Sequence, residues 1–249
     1  MTEPVVELID LVAARSEARG RRPDLVGVTG SVAVGKSSMA AELAAALQAR
    51  YRLTVEIVST DGFLLPNATL EPLGRAFHKG FPDTYDTAGL IDFLETIRSG
   101  AEATFALYDH IRYDLSAERG RIENPDMVIV EGLNLFGSSA VAGERRVAEC
   151  LDERIYVDAD TSVVATWFVD RFMKFRDQAS SNPDSFYSMF VDMSDSDAVA
   201  TAELVWDEIN GVNLREHIAP ARSEATIIVT KADDHSIESI EIAELGFPI

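Results

Sequence analysis

The string Gly30-Ser-Val-Ala-Val-Gly35-Lys36-Ser37 constrains this chain more than any other feature. It matches G-x-x-x-x-G-K-[ST], a loop whose glycines let backbone N–H groups turn inward onto a phosphate. In that pattern Lys36 reaches the β- and γ-phosphates, the Ser37 hydroxyl ligates Mg²⁺, and the N-terminus of the following helix adds a favourable partial charge. The expected nucleotide cradle is therefore Gly30, Ser31, Val32, Ala33, Val34, Gly35, Lys36, Ser37 and Ser38. The flanks agree. Leu25–Thr29 is a short apolar run with β-branched residues, and 36–49 is rich in Ala, Leu and Met, so a strand enters the loop and a helix leaves it.

The same alternation continues. An amphipathic helix is expected over 3–18, strands over 53–59, 127–131, 155–157 and 225–230, an edge strand over 236–242, and a strand or hairpin over 104–115. Helices fit 87–98, with Thr87 as cap and Gly100 as stop, and also 161–178, 184–193 and 195–210. Residues 60–86 show little period, and a loop that long inside a compact domain is more often functional than idle. The expectation is one α/β domain over 1–249 with a mainly parallel sheet flanked by helices: an N-terminal helix within 1–23, a substrate loop or lid at 60–86, and a helical substrate-side region at 160–222.

Charge narrows the partners. Forty-two acidic residues against 22 basic ones give a formal charge of −20. That sign argues against nucleic acid and anionic membranes, both of which need a basic surface. No run reaches the length of a membrane span and the acidic start lacks a signal peptide's basic region, so a cytoplasmic protein is expected. One cysteine excludes an internal disulfide framework, and no two histidines have metal-ligand spacing.

Two strings invite a GTPase reading: Asp86-Thr-Ala-Gly89 as a DxxG switch and Thr230-Lys-Ala-Asp233 as a guanine reader. The first fails on context, because a switch DxxG ends a buried strand, whereas Asp86 and Thr87 here look like a helix cap. A small-molecule kinase instead needs a carboxylate for the acceptor's hydroxyl proton, an acid near Mg²⁺ and a cation on the transferred phosphoryl group. Asp61 follows the second strand, Glu131 ends the strand MVIVE, and Arg171, Lys174 and Arg176 lie on the long 161–178 helix. Each also has a structural alternative: a turn residue, a strand-end residue and an exposed helix charge.

With those strings in view, the chain resembles the bacterial type I pantothenate kinases, P-loop kinases related to uridine kinases and phosphoribulokinases. The resemblance rests on GSVAVGKS at 30–37, STDGFLLPN at 59–67, KGFPDTYD at 79–86, YDHIRYD at 108–114, PDMVIVEGLN at 125–134, TWFVDRFMKFR at 166–176 and the stretch from Trp206 to Arg222. It implies ATP-dependent phosphorylation of the terminal hydroxyl of pantothenate, with Asp61 as base and Lys36 and Arg171 on the γ-phosphoryl group; the alternative is a related kinase of another small hydroxylated acceptor, a nucleoside such as uridine or a sugar. It further implies Ser37 and Glu131 on Mg²⁺, Tyr108, His110, Tyr113, Phe168 and Asn213 around pantothenate, and His235 near the adenine and a coenzyme A inhibitor. Lys79 and Tyr85 would help hold the 60–86 segment. A homodimer is part of the same expectation. This chain departs from the family at five places, two of them a shorter segment after Asn134 and a 184–193 stretch that keeps aromatic character but loses parts of the family string. Phe168 stands where a tyrosine is usual and removes a substrate hydroxyl contact. Ala41 replaces an arginine that binds coenzyme A, which puts feedback inhibition in question. The region before the phosphate loop is shorter, so adenine contacts made there are lost or replaced.

Overall fold

The structure, a computed structural model, describes residues 3–20, 22–137 and 145–243. Its centre is a six-stranded sheet ordered β2-β5-β1-β6-β7-β8. The strands are β1 (Asp24–Gly30), β2 (Val55–Ser59), β5 (Met127–Glu131), β6 (Glu153–Asp158), β7 (Ile227–Lys231) and β8 (Ile237–Ile242). Five run parallel and β8 pairs antiparallel at one edge. Every residue of β1 and β5 is buried, as expected of parallel strands covered on both faces. The other edge strand, β2, exposes Glu56 and Ile57.

Helices cover the sheet: α1 (Glu3–Arg19), which precedes it in the chain, and α2 (Lys36–Tyr51), α4 (Thr87–Arg98) and α5 (Thr161–Ala179). The expected hairpin is present as β3 (Ala103–Asp109) paired with β4 (Asp114–Ile122). Residues 60–86 break into short turns of helix, among them α3 (Asn67–Leu70), tied back by Leu65 N–H to Thr84 O at 2.8 Å. Among the described residues no helix is long and apolar enough to cross a membrane.

Three expectations are corrected. Asp86, not Thr87, caps α4: its carboxylate accepts from Gly89 N–H at 2.9 Å, which also removes it from any switch role. Residues 184–193 hold only a short 3₁₀ turn at Phe186–Phe190, from which Tyr187 and Phe190 both pack on Phe172 while Phe186 stacks on Tyr113. The helix expected to end at 210 begins as α6 (Asp195–Val205) and continues through π-turns at 206–210 and 214–218, with α7 (Gly211–Asn213) between them. The wider turns re-aim side chains that a regular helix would carry elsewhere.

At the amino ends of the strands, Arg19 grips Asp24 through two bonds of 3.0 and 2.7 Å and reaches Glu153 at 2.9 Å. Arg15 adds a second contact to Glu153 at 3.2 Å, and the Thr226 hydroxyl donates to the same carboxylate. Asp24 and Glu153 are essentially inaccessible to solvent. This network ties α1 to β1, β6 and β7. Arg19→Met leaves the Asp24 charge buried and unpaired, and should lower unfolding free energy by about 3 kcal/mol or more in urea titrations. The exposed Arg121→Met, whose pairs are solvent-screened, should cost less than about 1 kcal/mol.

Candidate active site

The phosphate loop sits at the carboxyl end of β1, where open parallel sheets place their ligands. Gly30 has φ of +147°, and a Cβ there would meet Val157 O at 2.3 Å, so no other residue fits. Ala33 (φ 63°) and Gly35 (φ 88°) are also left-handed, which curls the loop. Gly35 caps α2 without any side-chain bond, so the first N–H groups of the helix are left for a ligand. Lys36 is buried and folds back to donate to Ser31 O at 2.8 Å. The buried Ser31 hydroxyl has no hydrogen-bond partner among the described residues.

Three candidate groups converge on Lys36. Burial lowers its pKa to about 8; Glu131 and Asp61 pull the other way, and Arg171 adds to the lowering. The convergence follows from register. Glu131 lies opposite Ser59 of β2 and Val28 of β1, and Asp61 stands on the turn (Thr60–Phe63) immediately after β2. Gly62 makes that turn possible, because a Cβ would fall 2.0 Å from Ala106 O.

A cleft of about 1200 Å³ opens in front of the loop. Its walls include Lys36, Ser37, Ser38, His110, Arg171 and His235, so the structure gathers these expected residues in one place. Lys174, expected beside Arg171, lines it too, and the structure adds Trp167 and Lys231. Trp167, Arg171, Lys174 and Phe175 share one face of α5 at three- and four-residue spacing, a pattern visible in the sequence. Trp167 stacks on His235 (centroids 3.9 Å apart, planes 23°) and donates to Asp233 O at 3.2 Å. Arg171 lies over the Phe175 ring at 5.1 Å. Lys231, read in the sequence only within the guanine-like string, ends β7 beside Gly35, and burial lowers its pKa.

The acceptor-side residues gather at the tip of the β3–β4 hairpin. Tyr108 packs edge-on to His110 (5.1 Å) and Tyr113 (6.0 Å), and Tyr113 stacks on Phe186 at 4.5 Å. The Lys79 ammonium lies 5.2 and 5.1 Å from the Tyr108 and Tyr113 rings and 3.8 Å from Asp114. Burial raises the pKa of Tyr85, Tyr108 and Tyr113, keeping all three hydroxyls protonated, and lowers that of Lys79. The chain's four lysines, 36, 79, 174 and 231, thus all stand at this end of a strongly acidic molecule. Such focusing of positive charge suits an anionic ligand.

Two expected residues lie differently. Phe168, one step round α5 from Trp167, packs against Trp206 at 5.8 Å and adds to the core. Asn213 is buried between the two π-turns, where its amide donates to Gly80 O at 2.8 Å and so anchors the 79–86 loop. Asn134 donates to the same carbonyl.

Comparison with known proteins agrees with this geometry. Residues 25–195 match the phosphoribulokinase/uridine kinase family. A pantothenate kinase of Pasteurella multocida is 41% identical over 223 residues, covering 88% of this chain and 71% of that protein. One of Yersinia enterocolitica is 40% identical over 230 residues, covering 89% and 72%. Among solved structures, D-glycerate 3-kinase of Cryptococcus neoformans superposes with TM-score 0.71 at 18% identity, covering 98% of this chain and all of that one. The phosphoribulokinase of Rhodobacter spheroides gives 0.52 at 14% identity, covering 84% and 70%. The last two similarities concern the fold.

Proposed function

The chain belongs to the phosphoribulokinase/uridine kinase family of P-loop kinases, and on that premise we propose that it transfers the γ-phosphoryl group of ATP to the terminal hydroxyl of pantothenate. The observation that carries the proposal is the shared neighbourhood of buried Lys36 with Asp61, Glu131 and Arg171, in a chain about 40% identical to pantothenate kinases.

Asp61 accepts the hydroxyl proton as the acceptor oxygen bonds to the γ-phosphorus and the bond to the ADP oxygen breaks. Lys36 and Arg171 neutralise charge on the transferred group, and the N–H groups of the loop hold the β-phosphate. Trp167 and His235 form the wall on the base side, while Tyr108, His110 and Tyr113 face the acceptor. Among the described residues no group of three or more His, Cys, Asp or Glu side chains could hold a metal by itself. The Ser37 hydroxyl and Glu131 carboxylate are hard oxygen donors beside the phosphate cradle, a set that suits Mg²⁺ shared with nucleotide phosphates. That ion would supply charge neutralisation on the β- and γ-oxygens.

The test is ADP release with a panel of acceptors. Pantothenate should release ADP at a rate well above ATP hydrolysis alone, and uridine, glycerate and fructose should not. Release with another acceptor only, or none with any, would contradict the proposal.

A further inference from the structure

Lys231, the last residue of β7, lines the cleft, and among the described residues its ammonium makes no ion pair or hydrogen bond. A long side chain usually carries its charge out into water. This one turns inward instead. β6 separates β7 from β1, yet a Cβ on Gly35 would lie 2.7 Å from Lys231 Nζ. Gly35 is therefore bare for two reasons, its left-handed φ of 88° and the ammonium that fills the space beside it. Lys231 is partly buried, and burial disfavours its charged form. Glu42 of α2 attracts the ammonium without pairing with it, so no protein acceptor offsets that cost. A cation held under such conditions beside an anion cradle points to an acceptor that arrives with the ligand.

The surroundings fix which part of the ligand that is. Lys36 shares the field of Asp61, Glu131 and Arg171, the groups around the transferred phosphoryl. The charge that acts on Lys231 is Glu42 instead. Lys231 leads into a tight turn closed by Ala232 N–H to Ser236 O and by His235 N–H to Ala232 O, both at 3.0 Å. The same turn carries His235 to its stack on Trp167. One short segment thus sets the base wall and the ammonium four residues apart. With the base against that wall and the β-phosphate in the loop, the α-phosphate falls between them, on the Lys231 side of Gly35. The string Thr230-Lys-Ala-Asp233 accordingly does something other than read guanine. Its lysine meets the phosphate loop, and its exposed Asp233 offers Trp167 Nε1 a backbone carbonyl at 3.2 Å. We propose that Lys231 is a nucleotide-binding residue whose ammonium donates to the α-phosphate oxygens of ATP and ADP, an assignment that rests on reading the cleft as the ATP site.

Lys231→Met removes the charge at nearly constant length. Because no protein group accepts from the ammonium, the melting temperature of the nucleotide-free protein should hold or rise. Calorimetric titration with ATP and with ADP, each with Mg²⁺, should show both Kd values weakened about ten- to hundred-fold, the worth of one hydrogen bond to a charged group. The two factors should agree within about three-fold, since both nucleotides carry the α-phosphate. In turnover the KM for ATP should rise by a like factor while kcat stays within about three-fold, the mark of an interaction made equally in ground and transition states. Unchanged affinity, a loss far larger for ATP than for ADP, a loss in kcat, or a fall in the nucleotide-free melting temperature overturns the assignment. Failure of the kinase reading is seen separately, as wild-type protein that releases no ADP with pantothenate; the calorimetric comparison needs no turnover and still decides the role of Lys231.

Discussion

Asp61→Asn should lower pantothenate-dependent kcat by about 10²- to 10⁴-fold, the usual worth of a positioned general base. The amide fills the same space but cannot take up a proton. The fold should tolerate it, because among the described residues the Asp61 carboxylate makes no ion pair, and the turn is held through the Asp61 backbone, whose N–H donates to Ser59 Oγ and whose carbonyl accepts from Leu64 N–H. ATP should therefore still raise the melting temperature, as any ligand of the native state does. Full activity in this variant would remove Asp61 from the chemistry, and with it the claim that this turn is the catalytic one.

Lys36→Met should have the opposite signature. It removes the one ammonium that is buried inside the phosphate loop. The loss in kcat/KM should be about 10³-fold, as for other preorganised charge-stabilising donors. Here the stabilisation of the fold by ATP should shrink or vanish, because the cation is needed for binding as well as transfer. The same residue sets a pH dependence. Burial depresses its pKa to about 8, so it is charged below that pH and neutral above it. ATP affinity of the wild-type protein should weaken as pH rises through this range, and the Met variant should not share that dependence. Calorimetric titrations of both proteins between pH 7 and 9 would check it.

The places of these two residues are legible in the sequence because their signals are local. A phosphate loop is eight contiguous residues between a strand and a helix, and the buried runs of β1 and β5 are read from composition. Asp61 and Glu131 needed one further step, their place at strand ends. What could not be read depends on sheet order. Lys231 reaches Gly35 only because β7 lies two strands from β1, and Trp167 meets His235 across nearly seventy residues of sequence. The π-turns around Asn213 break the very periodicity by which a helix is recognised, so neither the length of that helix nor the partner of Asn213 could be anticipated. The expectation for Phe168 comes from resemblance alone, and its packing on Trp206 is a tertiary contact that no local motif announces.

The central claim concerns which bond is made. Phosphorus NMR and mass spectrometry of the product formed from ATP and pantothenate address it directly. The account predicts one new phosphomonoester, on the terminal hydroxyl of pantothenate, formed in equal amount to ADP. ADP accompanied only by inorganic phosphate, or a phosphoryl group on any other position, would contradict it.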